Sequence, residues 1–281
     1  MKYRLISSFI LINIVIAAMF LLSLRGFSLA VGLVCILSMW EWGKLSGLTS
    51  FKKVIILKFF FGFCLIFITK IIHPDLPYMN FWQVRYIFKA SIIWWILAFI
   101  LVFFYPRSAR LWIGSQALRL IFGFLTIIPF CLGVLILRQY RYDINEFSGA
   151  WLLLYLMVLI WSADSCGYIF GCAMGCHKLA PNVSPNKTWE GLLGGLLIST
   201  MLVFLLGKYV SIGISPLRLI IGSIVAILAS VIGDLSESMF KRASGVKNSG
   251  YLIPGHGGIL DRIDSLTAAV PVFLCLILEV F

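Results

Sequence analysis

An all-α, polytopic integral membrane protein is the fold class the sequence predicts, and three observations predict it. Of the 281 residues, 61% are hydrophobic and 12% charged, whereas soluble domains run at about 45–50% apolar and about 25% charged. Mean hydropathy is +1.03. Apolar runs of spanning length recur from one end of the chain to the other. A water-soluble globule of this size could not cover so much apolar surface. Disordered, collagenous and disulfide-scaffold classes fail on the same figures.

A spanning helix needs about 20 mostly apolar residues to cross a hydrocarbon core about 30 Å thick. Backbone groups find no water there, so helices are the default element. Nine candidate segments follow, at 5–24, 27–40, 54–72, 90–105, 120–137, 147–162, 192–210, 216–232 and 266–280; an eight-segment division is the alternative. The first begins behind Lys2 and Arg4 like a secretory leader. Its apolar stretch is too long for one and lacks a small-x-small cleavage pattern, so it reads as a retained helix. The second is short and ends in Trp40, Glu41 and Trp42, an interface-like edge. One membrane domain, 1–281, is expected, with N-terminal helices in 1–145 and catalytic helices and loops in 146–281.

Charge sets the orientation. If the N-terminus and every second loop share a side, that side carries fifteen of the 23 Lys and Arg residues. The positive-inside rule makes it cytoplasmic and puts the C-terminus on the opposite face. Cys35, Cys64, Cys131 and Cys275 lie in apolar spans as small core residues. Cys166, Cys172, Cys176 and His177 match no usual zinc spacing, so no thiol metal site is expected.

Only eleven residues are acidic, and six of them, Asp164, Glu190, Asp234, Glu237, Asp261 and Asp264, flank the last apolar spans. Ionisable groups at membrane depth are costly and usually mark a pathway or a reaction site. A first block runs from Asp164 through Gly167, Gly171 and Gly175 to Ser184-Pro-Asn-Lys-Thr-Trp-Glu-Gly191. The glycines, four apart, suit close helix packing. Ser184, Asn186, Lys187 and Thr188 combine a rigid turn, hydroxyls, an amide and a cation ahead of a helix start, which suits phosphate. No G-x4-G precedes Lys187, so this is not a Walker A loop.

The second block is denser. Asp234, Glu237 and Ser238 share a helical face at i, i+3 and i+4, and Asp261 and Asp264 repeat the i, i+3 spacing beside Arg262. Two carboxylate pairs on separate elements can hold hard divalent cations through oxygen ligands. Lys241, Arg242 and Arg262 would clamp phosphate oxygens. Gly255, Gly257 and Gly258 around His256 suit a backbone that approaches a ligand closely.

The run Ser238-Met-Phe-Lys-Arg242, Lys247 and Pro254-Gly-His-Gly-Gly-Ile-Leu-Asp-Arg-Ile-Asp264 resembles the signature of the phosphatidate cytidylyltransferases, or CDP-diacylglycerol synthases. Ala163-Asp-Ser, His177-Lys-Leu-Ala-Pro181 and Ser184-Pro-Asn-Lys-Thr-Trp-Glu-Gly191 resemble the same family, and Tyr3-Arg-Leu-Ile-Ser7 its bacterial members. The resemblance implies that CTP and phosphatidate give CDP-diacylglycerol and pyrophosphate with Mg2+, a second cation being left open. It implies a multi-pass protein of the cell inner membrane, with its N-terminus and catalytic loops cytoplasmic. Asp234 and Asp261 match the family's metal-binding aspartates, with Glu237 as a further ligand. Lys187, Lys241, Arg242 and Arg262 match its basic positions. Asp234, Asp261, Lys241, Arg262 and Asp264 are the expected catalytic set. Ser184, Asn186, Lys187, Thr188, Arg242, His256, Gly257, Gly258 and Asp164 are the expected substrate contacts. Membrane lipids are the expected surroundings, no nucleic acid is expected, and a homodimer is left open.

Two departures stand out. Asn248 follows Lys247 where the family usually has Asp, and Cys172 and Cys176 occupy positions that are often basic. Asn caps a hairpin almost as well as Asp, so an active enzyme is expected. An ion-coupled transporter would instead spread its acids along mid-span positions of several helices. Another CTP or lipid-phosphate membrane enzyme, of the polyprenol-kinase type, shares the charge logic, and only the signature separates it.

Overall fold

The computed structural model describes residues 2–71, 82–210, 213–253 and 257–278. His256, expected to contact substrate, lies outside them. In chain order come α1 (Lys2–Leu21), α2 (Leu24–Leu45), α3 (Phe51–Ile71), α4 (Trp82–Phe103) and the short α5 (Ala109–Trp112). Then follow α6 (Gln116–Gln139), α7 (Ser148–Met174), β1 (Lys178–Ala180), β2 (Ser184–Thr188), α8 (Trp189–Val210), α9 (Pro216–Ala243) and α10 (Leu260–Ile277). Each of the nine expected segments overlaps one long helix. Among the described residues, six of these (α2, α4, α6, α7, α8 and α9) are both long and apolar enough to cross a membrane. The protein is an all-α, multi-pass membrane protein.

Several helices outrun the apolar stretches that announced them, each at its polar end. α2 continues past Trp40 to Leu45, α7 past Ser162 to Met174 and α9 past Ile232 to Ala243, while α10 starts at Leu260 rather than near residue 266. Charged residues end an apolar run without ending a helix when the helix buries them against partners. Glu41 and Glu237 are both buried. The segment expected as a rigid turn before α8 is instead strand β2, paired antiparallel with β1 through Lys178 opposite Thr188 and Ala180 opposite Ser184.

The outer surface carries large apolar side chains, among them Phe59, Phe63, Ile93, Phe103 and Leu205, all largely exposed. Several polar side chains inside the bundle pair with one another, as hydrocarbon surroundings favour. The Trp94 indole N–H donates to Thr126 Oγ1 at 3.0 Å. The Tyr155 and Ser223 hydroxyls lie 2.8 Å apart.

Three helix pairs position everything that follows: α7 with α8, α9 with α10, and α2 with α6. Glycine makes the first contact close. A Cβ on Gly195 would stand 2.5 Å from the Ala163 carbonyl oxygen, and one on Gly191 would stand 2.5 Å from that of Gly167. Gly195→Val should therefore force α7 and α8 apart, costing about 1–3 kcal/mol of overpacking. A lowered Tm in detergent, measured beside the parent protein, checks it. At Gly233, a Cβ would meet the Asp264 carbonyl oxygen at 2.5 Å, so the glycine lets α9 and α10 touch beside their acidic residues.

The third pair anchors the far end of α9. The Trp42 indole of α2 donates to the Arg119 carbonyl at 2.7 Å. Trp42, Trp112 and Phe122 surround Phe240, with ring centroids at 4.9, 4.7 and 5.9 Å. The Ser244 hydroxyl just past α9 donates to the Leu45 carbonyl at 2.7 Å. The N-terminal helices thus hold the end of α9 where its charged residues sit.

Candidate active site

A cavity of about 470 Å³ opens between α7, the β1–β2 hairpin, α8, α9 and the start of α10. Its upper part is charged and its lower wall, with Leu192, Leu196, Ile227 and Val231, is apolar. Both sequence blocks reach it, since the Lys187 Nζ of β2 lies 2.5 Å from Asp234 Oδ2 of α9.

Of the expected site residues, Asp164, Asn186, Lys187, Thr188, Asp234, Lys241, Arg242, Asp261, Arg262 and Asp264 all line this cavity. Ser184, Gly257, Gly258 and Glu237 do not line it. Ser184 pairs with Ala180 at the tip of the hairpin. Gly257 and Gly258 form the turn behind Asp261. Glu237 was expected on one face with Asp234 and Ser238, but it points into the core and meets Lys241 from behind.

Local structure explains each placement. Thr188 is buried and caps α8, its Oγ1 accepting from the Gly191 N–H at 3.1 Å. The cap fixes the end of β2 and so holds Lys187 toward α9. Burial works against the charge of Lys187, but Asp234, Asp164 and Asp264 more than offset it and raise the ammonium's pKa. Asp234 also accepts from the Ser238 hydroxyl one turn on, at 3.3 Å. Asp164 Oδ2 accepts from the Ser265 hydroxyl at 3.0 Å, and the Ser265 N–H donates to Asp264 Oδ1 at 2.8 Å. One residue thereby joins carboxylates from α7 and α10.

Lys241 is buried between two acids, with Nζ at 2.9 Å from Glu237 Oε2 and 2.7 Å from Asp261 Oδ1. Asp261 is held further by backbone donors. Ser249 N–H lies 3.0 Å from its Oδ2, and Gly258 N–H lies 2.8 Å from the same oxygen. Gly257 has φ +87°, and a Cβ there would crowd Asp261, so glycine is required where the turn folds under the carboxylate. Arg242 donates from Nε to the Val183 carbonyl at 3.1 Å. Arg262, Lys247 and Asn248 are exposed at the cavity's rim.

Carboxylate and hydroxyl oxygens are the donors facing the cavity, which suits a hard cation. Among the described residues no three Asp, Glu, His or Cys side chains converge on one point. Mg2+ fits such a site because it takes one or two carboxylates and completes its shell with water and substrate phosphates. None of the seven cysteines lines the cavity, and all seven are free.

One residue was not anticipated. Glu41 of α2, read from sequence as part of an interface edge, is buried beneath the turn that precedes α10. It accepts from the Ser249 hydroxyl at 3.0 Å and from the Ile259 and Leu260 N–H groups at 3.1 and 2.8 Å. A lone acid inside an otherwise apolar helix was the available signal.

Similarity to known proteins agrees with this geometry. The cytidylyltransferase family model matches residues 2–280. A phosphatidate cytidylyltransferase of Haemophilus influenzae is 44% identical over 282 residues, covering 97% of each chain. Its namesake from Pseudomonas aeruginosa is 38% identical over 279 residues, covering 99% of this chain and 97% of its own. A third, from Staphylococcus saprophyticus, is 41% identical over 142 residues, half of this chain. With the family model matched along almost the whole sequence and two relatives aligned end to end, the chain belongs to the cytidylyltransferase family.

Proposed function

We propose that the protein transfers the cytidylyl group of CTP to phosphatidate, forming CDP-diacylglycerol and pyrophosphate at the cytoplasmic face of the cell inner membrane. One observation carries the reading: a single cavity gathers Lys187, Lys241, Arg242, Lys247 and Arg262 beside the carboxylates of Asp164, Asp234, Asp261 and Asp264, above an apolar wall. Such a cavity suits the phosphates of a nucleotide and of a lipid. The printed names of the Haemophilus and Pseudomonas relatives support the same substrates.

A phosphatidate phosphate oxygen attacks the α-phosphorus of CTP, and the bond to the bridging oxygen breaks with its electron pair leaving on pyrophosphate. The attacking phosphate is already ionised near neutral pH, so no strong general base is required. Both reactants are polyanions, which makes positioning and charge neutralisation the protein's main contributions. Lys187, Arg242 and Arg262 grip phosphate oxygens, and Asn186 donates from its amide. Lys241, fixed between two acids, presents a preorganised positive charge from below. Asp164 and Asp264, joined through Ser265, orient the acceptor, with His256 as a further orienting group. Mg2+ would be held by Asp234, whose partners Lys187 and Ser238 can exchange onto substrate, with Asp261 beside it. When bound, the ion supplies charge neutralisation at the phosphate oxygens.

The test is incubation of purified protein in lipid vesicles with labelled CTP and phosphatidate, with and without Mg2+. CDP-diacylglycerol and an equal amount of pyrophosphate are expected only with the metal. No product from a folded, reconstituted sample overturns the reading.

A further inference from the structure

We propose that Glu41 is a positioning residue for the transfer reaction, acting from the N-terminal helices on the turn that carries Asn248 and Asp261. The inference rests on the proposed function and goes beyond it, because neither Glu41 nor any of its hydrogen-bond donors lines the cavity. Its carboxylate sits against residues 249–250 and 258–260 and gathers three donors from them: the Ser249 hydroxyl and the Ile259 and Leu260 N–H groups. The last two are the N-cap residue and the first residue of α10, where backbone donors lack helical partners and a negative charge is favoured. One side chain therefore caps α10 and ties down the opposite limb of the turn.

The turn is shaped to admit this carboxylate. A Cβ on Gly250 or on Gly258 would collide with the Glu41 oxygens, so glycine is needed on both sides of it. Immediately above, the Ser249 and Gly258 N–H groups grip Asp261. Ser249 is the hinge of the arrangement: its hydroxyl goes down to Glu41 and its N–H goes up to Asp261. Asp261 then fixes Lys241 at 2.7 Å. A displacement of Glu41 would be felt at Asp261 through two hydrogen-bonded steps and at the Lys241 side chain through a third, with the Lys187–Asp234 pair left in place.

Glu41→Gln retains one acceptor oxygen but turns the other position into a donor facing backbone N–H groups. Loss of a buried orienting partner of this kind typically lowers activity about 10- to 100-fold. The expected result is a fall of that size in kcat, KM for CTP and for phosphatidate each within about threefold of the parent, and faster hydrogen exchange confined to residues 249–260. Ser249→Ala removes only the hydroxyl link and should give a smaller change of the same pattern, less than additive with Glu41→Gln. Full kcat in Glu41→Gln, or additive effects in the double variant, overturns the inference. If Glu41→Gln does not fold, Ser249→Ala decides alone: unchanged kcat and unchanged exchange at 257–260 overturn it. An inactive parent protein would count against the proposed function instead, while the exchange measurement would still report on Glu41.

Discussion

Asp234→Asn is expected to lower kcat by at least about 10²–10³-fold, the scale of losing one preorganised electrostatic group. The substitution keeps the shape of the side chain and its acceptor for the Ser238 hydroxyl. What it removes is the charge opposite Lys187, 2.5 Å away, and with it the carboxylate proposed to hold Mg2+. Lys187 would then lack the neighbour that organises it, so both cation-binding and phosphate-binding roles fail together. Expression and Tm should change little, because the pair sits at the cavity face rather than in the packed core. Steady-state formation of CDP-diacylglycerol, followed over a Mg2+ titration, checks the expectation. Recovery of full activity at high Mg2+ would show that Asp234 contributes affinity and no more.

Lys241→Met should be the most destabilising single change in the site. It strands Glu237, which is 3% exposed and whose Oε2 has Lys241 as its partner at 2.9 Å; its Oε1 has none among the described residues. Removing one partner of a buried ion pair costs about 3–5 kcal/mol, which should appear as a large drop in Tm. Adding Glu237→Gln in the same chain removes that uncompensated charge and, with Asp261 still held by the Ser249 and Gly258 N–H groups, should recover most of the stability. Activity should not return, because the cation proposed to face the substrate phosphates is still missing. Thermal unfolding and turnover measured on the parent, both single variants and the double variant separate the structural share of Lys241 from its share in the reaction.

The fold class and the core of the site were readable because each announces itself locally. Apolar content and run length identify spanning helices without reference to their neighbours. The Asp234 and Asp261 blocks are dense enough in charge and glycine to stand out against an apolar background. Helix ends were less legible near the candidate site: α2, α9 and α10 carry charged residues into their last or first turns, α7 continues for ten residues past Asp164, and a rule based on apolar runs stops at the first charge. Whether Glu237 faces a cavity or the core is decided by how α9 packs, and i, i+3 spacing leaves room for both. Glu41 was the hardest to see. Its donors are Ser249, Ile259 and Leu260, more than two hundred positions away, and two tryptophans beside it imitate a membrane-interface edge.

That separation has a temporal side. A ribosome adding about 5–20 residues per second needs on the order of 10–40 s to travel from Glu41 to Leu260. During that interval α2 has been made while the residues it will cap do not yet exist. The acid must wait, facing water at the membrane surface or a transient partner, until the last helix is delivered. A chain cut short before α10 would lack more than Asp261 and Asp264: it would leave the carboxylate of Glu41 in α2 without the donors that hold it in the finished protein.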